Sequence, residues 1–324
     1  MHQPFNSAVA VLVIAAGCSS NADPPAALPA ASPHRKAYVG LFGDQSVAVL
    51  DTVTNQLLKT IPVTAPDGLL VTPDGKKVYV SSTDTGTVKV IETAGDTIAG
   101  SIAVGAKPAG IAVTPDGSRV VVSVGGANEA VIIDTSSDVV IKHVSVAAAH
   151  ASCISGDGHY AYVGSQATES PAIALVDIVG DTPAKSFPVD KSPRMLSCTP
   201  KAIYFTAVGL DAVEMMEPTT GTLGTPIASG GSPHDVRATL DGKFELVVSQ
   251  TAGDLEFIDV ETGTLAGTVP TGKLAHWITL FADGTGAYVS NEGDNNVVTV
   301  DLGERRVTGT IAIGNGPRKM ALQP

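Results

Sequence analysis

The sequence predicts an all-β fold of seven four-stranded antiparallel units closed into a ring, and three observations predict it. First, an Asp-Gly pair between apolar runs recurs in VTPDGKKVYVS (Val71–Ser81), VTPDGSRVVVS (Val113–Ser123), ISGDGHYAYVG (Ile154–Gly164), TLDGKFELVVS (Thr239–Ser249) and FADGTGAYVS (Phe281–Ser290). Second, an acidic residue closes an alternating apolar run at Asp51, Glu92, Asp134, Asp177, Glu217, Asp259 and Asp301, with gaps of 41, 42, 43, 40, 42 and 42 residues. Third, apolar residues alternate at period two between these markers, and no stretch sustains a helical period. Seven acids mean seven copies of one supersecondary unit.

Each unit reads as four short strands. In residues 106–147 these are GIAVT, then RVVVSV after the Asp-Gly turn, AVIID after a Gly-rich loop, and VIKHVSV. Glycine after aspartate supplies the positive φ that a tight hairpin requires. Four strands repeated seven times is the arithmetic of a seven-bladed β-propeller, whose blades bury their faces against one another. The two ends fit this arithmetic. NGPRKMALQ (Asn315–Gln323) matches only the innermost strand of a unit, and KAYVGLF (Lys36–Phe42) matches a second strand. The C-terminal strand is therefore expected to join the first blade and close the ring. The fifth copy departs from the pattern, because CTPKAIYF (Cys198–Phe205) has Lys201-Ala202 in place of Asp-Gly, which predicts a different turn. The repeated acids read as structural: a carboxylate there can accept hydrogen bonds from backbone amides in the turn between the third and fourth strands.

The first residues lie outside the repeat. AVAVLVIAAG (Ala8–Gly17) is too short to span a bilayer and suits the apolar region of a signal peptide. It leads into AAGCSS, which resembles the lipobox of bacterial lipoproteins; that resemblance implies cleavage before Cys18 and diacylglycerol on its thiol. SSNADPPAALPAASP (Ser19–Pro33) is a Pro/Ala/Ser tether that cannot build a core. The expected organisation is a signal peptide over 1–17, a lipidated cysteine and tether over 18–35, and the propeller over 36–324. The chain is expected to be exported to the cell envelope, held to the membrane by lipid, and monomeric. Apolar residues make up 44% of the chain against 16% charged, enough for a core. A net charge of −12, no basic run longer than His34-Arg35-Lys36, and only 4% aromatic residues argue against a nucleic-acid partner.

YVSNEGDNNVVTVD (Tyr288–Asp301), followed by TIAIGNGP (Thr310–Pro317), resembles the YVTN β-propeller repeat of bacterial and archaeal surface and periplasmic proteins. The resemblance covers residues 36–324 and implies the propeller fold; it says little about function.

Function is sought in positions that differ between copies. The residue eight before the second member of each Asp-Gly pair, or of Lys201-Ala202, is Asp67, Ala109, His150, Arg194, His234 or His276, with Arg318 from the incomplete last copy. In a propeller the innermost strands line a central channel, so these seven residues are expected to ring one mouth. Converging polar groups in a concavity form a candidate site. His150, His234 and His276 could hold a transition metal such as zinc or copper. Alternatively, Arg194 and Arg318 with Asp67 and the histidines could hold a small anion, with histidine as acid or base. Two other classes stay open: a metal-dependent or acid/base lyase or oxidoreductase with His150, His234 and His276 as catalytic residues, and a platform for a protein or cell-wall partner with an inert channel. Trp277 is expected to point away from His276 and pack between blades, His143 and His159 to be surface residues, and NEGDNN (Asn291–Asn296) to be a plain loop more than a calcium site. Cys153 and Cys198 fall at opposite parity in neighbouring units, as residues facing each other across blades would; in an oxidising compartment they could form a disulfide.

Overall fold

Alternating apolar residues and polar turns produce twenty-eight strands, β1 to β28 in chain order, and no helix among the described residues. The structure, a computed structural model, describes Met1, residues 36–180, residue 182 and residues 184–324. The signal-like stretch Ala8–Gly17, Cys18 and the tether lie outside the described residues. The strands form seven four-stranded sheets, and consecutive strands pair antiparallel within each. One sheet is completed from the far end of the chain: β28 (Pro317–Leu322) pairs with β1 (Lys36–Leu41), with Ala37 opposite Leu322 and Val39 opposite Met320. This is the expected closure.

The turns show why the repeat keeps its residues. In the second blade the Thr72 hydroxyl donates to Asp74 Oδ1 at 2.7 Å and Gly75 N–H donates to Thr72 O at 2.8 Å, with Gly75 at φ 70°. The fifth blade lacks both residue types, and Thr199 closes its turn instead, accepting from Lys201 and Ala202 N–H at 3.3 and 3.1 Å. At the end of the third strand, on the same face as the Asp-Gly turns, Asp51 Oδ1 accepts from Val53 and Thr54 N–H at 2.8 and 2.9 Å. Asp134 Oδ1 does the same for Ser136 and Ser137 at 3.0 and 3.1 Å. These acids are turn-formers, as expected.

Blades are held to one another by apolar packing and by polar clamps. The second and third strands of a blade are almost wholly buried, while outermost strands such as Gln56–Pro62 face solvent. Tyr38 donates to Asp96 Oδ1 of the next blade at 2.6 Å, and Lys36 Nζ pairs with Asp96 Oδ2 at 2.8 Å. Lys77 and Tyr79 hold Asp138 of the third blade in the same way. Tyr288 reaches Asn55 across the ring closure at 3.2 Å. Asn55, Asp96 and Asp138 have φ of 56°, 51° and 56°, a left-handed conformation that Asn and Asp tolerate better than most residues. Cys153 of β12 (Ala149–Ile154) and Cys198 of β16 (Pro193–Cys198) are joined by a disulfide, their Cα atoms 5.6 Å apart. The bond links the innermost strands of the fourth and fifth blades.

Candidate functional site at the channel mouth

Every residue of the expected ring is the second residue of an innermost strand. The strands are β4 (Pro66–Val71), β8 (Pro108–Val113), β12, β16, β20 (Pro233–Ala238), β24 (Ala275–Leu280) and β28. The chain passes into most of them through a left-handed residue two positions earlier: Ala65, Lys107, Ala148, Ser232, Leu274 and Gly316. That kink turns the chain from the outer edge of one blade to the centre of the next, and it fixes Asp67, Ala109, His150, Arg194, His234, His276 and Arg318 at one level of the channel.

Two of the three histidines meet. The His234 and His276 rings lie 3.9 Å apart between centroids, tilted by 41°, and both side chains are buried. His234 Nδ1 lies 2.8 Å from the His276 carbonyl oxygen. A carbonyl can only accept, so Nδ1 carries the hydrogen, and the neutral ring keeps its lone pair on Nε2. Burial pushes His234 well below the ordinary histidine range, helped by His276, Arg194 and Lys319. Burial does the same to His276, with Arg318, Lys319, Arg194 and His150 adding to it. His150 is lowered to about 4 by burial and then by Lys319 and Arg194, while Asp67 pulls the other way. All three imidazoles are therefore neutral at neutral pH.

The two arginines differ in how they are satisfied. Arg318 is engaged: Nε and Nη2 donate to Glu292 Oε1 at 3.0 and 2.9 Å, and the guanidinium lies 3.7 Å from the Phe42 ring centroid. Glu292 Oε2 also stands 3.7 Å from His276 Nε2. Arg194 is held only by a long bond from Nη1 to the Ser232 hydroxyl at 3.3 Å, and among the described residues no carboxylate pairs with it. Its planar donor fork is available for a bidentate acceptor.

A metal fits this arrangement poorly. Among the described residues no three His, Cys, Asp or Glu side chains are grouped closely enough to hold a metal ion, so His150 does not join His234 and His276 in a ligand set. The cationic residues that depress the imidazoles would also repel a bare cation.

Other residues fall as follows. His143 lies on an outermost strand and pairs with Glu129 at 2.8 Å, and His159 is exposed in a turn. Trp277 packs between blades, as expected, against residues of the first and seventh. Its Nε1–H donates to Met320 O of the next blade at 3.0 Å, and the residue also lines the channel. Glu292, Phe42 and Lys319 were not expected. Glu292 and Phe42 share a register, each the first residue after the second strand of its blade, so aligning that loop as well as the strand would have found them.

No protein-family model and no curated protein sequence matches the chain. Solved structures share its fold. A hydrazine synthase structure from Kuenenia stuttgartiensis has a TM-score of 0.72 at 20% identity, over 82% of this chain and 92% of that one. A putative 6-phosphogluconolactonase from Bacteroides fragilis has 0.74 at 16%, over 91% and 99%. Apo AztD from Citrobacter koseri has 0.67 at 14%, over 90% and 98%. At these identities the likeness establishes the propeller fold alone.

Proposed function

We propose that this chain is an exported, lipid-anchored propeller of the YVTN-repeat type that binds a small hydroxylated anion at the channel mouth. One observation carries the binding site: Arg194, half-buried and without a carboxylate partner among the described residues, stands in the same ring as neutral His234 and His276. Arg194 would take the carboxylate or phosphate bidentately, while His234 Nε2 would accept a hydrogen bond from a hydroxyl. A sugar acid has both groups. One structural neighbour, a putative 6-phosphogluconolactonase, is named for a lactone of the same chemical class. The anchor rests on the apolar stretch Ala8–Gly17 and Cys18. A diacylated and then N-acylated cysteine supplies the multiple chains that stable anchoring requires.

A catalytic reading is favoured by one contact. His276 Nε2 near Glu292 is the pairing a general acid or base uses, and a neutral imidazole could assist opening or elimination of a bound sugar lactone or acid. It adds to the binding reading and needs the same ligand. The metal-dependent variant lacks a ligand set in this ring.

Titrating Cys18→Ser protein with gluconate and with 6-phosphogluconate by calorimetry and thermal shift tests the site. Binding should appear with at least one of them. Arg194→Gln should weaken it roughly tenfold to a hundredfold, the range for hydrogen bonds to a charged group. His159→Ala should leave it unchanged. If neither acid binds, or Arg194→Gln binds as the parent does, the mouth is only a wet, polar channel end.

A further inference from the structure

The channel holds a second concavity beyond the mouth. It begins at the residue after five of the seven mouth positions, Gly110, Ala151, Met195, Trp277 and Lys319, and runs to the turns at the other face beside Pro73 and Pro115. Its volume is about 660 Å³, and none of the seven mouth residues lines it. Most of its wall is apolar, as Leu69, Ala112, Leu196, Ile278 and Ala321 illustrate.

Two cations stand at its deep end. Lys319 is only 3% exposed, and among the described residues its ammonium donates no hydrogen bond; it lies 5.1 Å from the Trp277 ring centroid, with Asp67 and Asp235 acting on it through charge alone. Arg237 lies over the same indole at 4.2 Å and is tied only through Nε to Asp235 Oδ2 at 3.2 Å. Asp235 Oδ2 also accepts from Ile278 N–H at 3.0 Å; its Oδ1 is buried without a hydrogen-bond partner, and the carboxylate acts on Lys319 through charge without a hydrogen bond to it. An ammonium that faces a largely apolar cavity without a protein hydrogen-bond partner is stabilised by any acceptor that enters the cavity. The cavity is the space from which an acceptor can reach it.

We infer that this cavity is a second binding site, separate from the mouth, for a small monocarboxylic acid with an apolar body. The carboxylate accepts from Lys319 and from the free edge of Arg237. The apolar body covers the Leu and Ile wall, which a bare inorganic anion would leave wet. The inference uses none of the mouth residues and stands whether or not the mouth binds a sugar acid.

Trp277 is the single tryptophan of the chain and lines this cavity, so its fluorescence reports on the cavity. Adamantane carboxylate, titrated into the Cys18→Ser protein, should change the emission saturably. Adamantanol, which lacks the charge, and acetate, which lacks the body, should each bind at least tenfold more weakly. Lys319→Met should weaken the acid roughly tenfold or more, and Arg194→Gln, which disables the mouth, should leave it unchanged. No saturable change, equal affinity for acid and alcohol, or unaltered binding in Lys319→Met overturns the inference. If Lys319→Met does not fold, the acid-to-alcohol ratio in the parent protein decides alone.

Discussion

Reducing the disulfide between Cys153 and Cys198 removes a cross-link without changing a side-chain volume, so its effect can be worked from chain statistics. The two residues are 45 apart in sequence. Closing a loop of that length lowers the entropy of the unfolded chain enough to stabilise the native state by about 4 kcal/mol at 25 °C. Unfolding entropy is roughly 2.1 cal/mol/K per residue near 60 °C, so the propeller of about 290 residues has about 0.6 kcal/mol/K, and the bond is worth about 6–7 °C of melting temperature. The assay is calorimetry of Cys18→Ser protein before and after reduction, with alkylation to count thiols. Two thiols should appear only after reduction. A drop of less than about 2 °C would refute the loop-entropy argument, and two thiols without reduction would refute the bond itself.

Acid should destabilise the fold through the mouth. Unfolded histidine titrates near 6.5 and native His150 near 4, with His234 and His276 also depressed, so the unfolded chain binds more protons in that window. Stability is then full above about pH 6.5 and falls toward pH 4 by up to about 1.4 kcal/mol per pH unit per histidine; His150→Gln should flatten a melting-temperature profile there, and an unchanged slope would contradict the assignment. Glu245 has the opposite sign: burial pushes its carboxyl up to about 8, against the pull of Ser197 and Arg237, so its native proton is an advantage at low pH that is lost as pH rises through that value. The melting temperature of Glu245→Gln relative to the parent should climb between pH 5 and pH 8, and a constant difference would count against a protonated Glu245. Tyr79→Phe removes one inter-blade bond to Asp138 and should cost about 1.5–3 kcal/mol in denaturant unfolding; a loss below about 0.5 kcal/mol would show that packing alone joins the second and third blades.

The blades, their closure and the level of the mouth ring were legible because they rest on features that recur. Asp-Gly turns, terminal acids and period-two apolar runs each make the same local bonds in several copies, and counting copies amplifies a weak local signal. What the ring does was less legible. His150, His234 and His276 share a register, yet register fixes height in the channel and not distance across it. Only the three-dimensional structure shows that the His234 and His276 rings meet while His150 does not join them in a ligand set. Lys319 escaped notice for a related reason: it adjoins Arg318 in sequence, and only burial separates a solvated lysine from an unsatisfied one. Glu292 sits in a stretch read as a plain loop, and its pairing with Arg318 joins residues from two different blades that no local pattern connects.

The pairing of β28 with β1 also constrains the order of events in folding. Ala37 must find Leu322, so the first strand cannot complete its sheet until the last has been made. Until then the first blade is a three-stranded sheet with an open edge, and the innermost strand between β24 and β4 is missing. Closure entropy grows only logarithmically with separation, so this long-range contact delays the ring far more than it weakens it. A chain built this way keeps its ring open until β28 has been made, so every earlier blade must hold together without the closed circle around it.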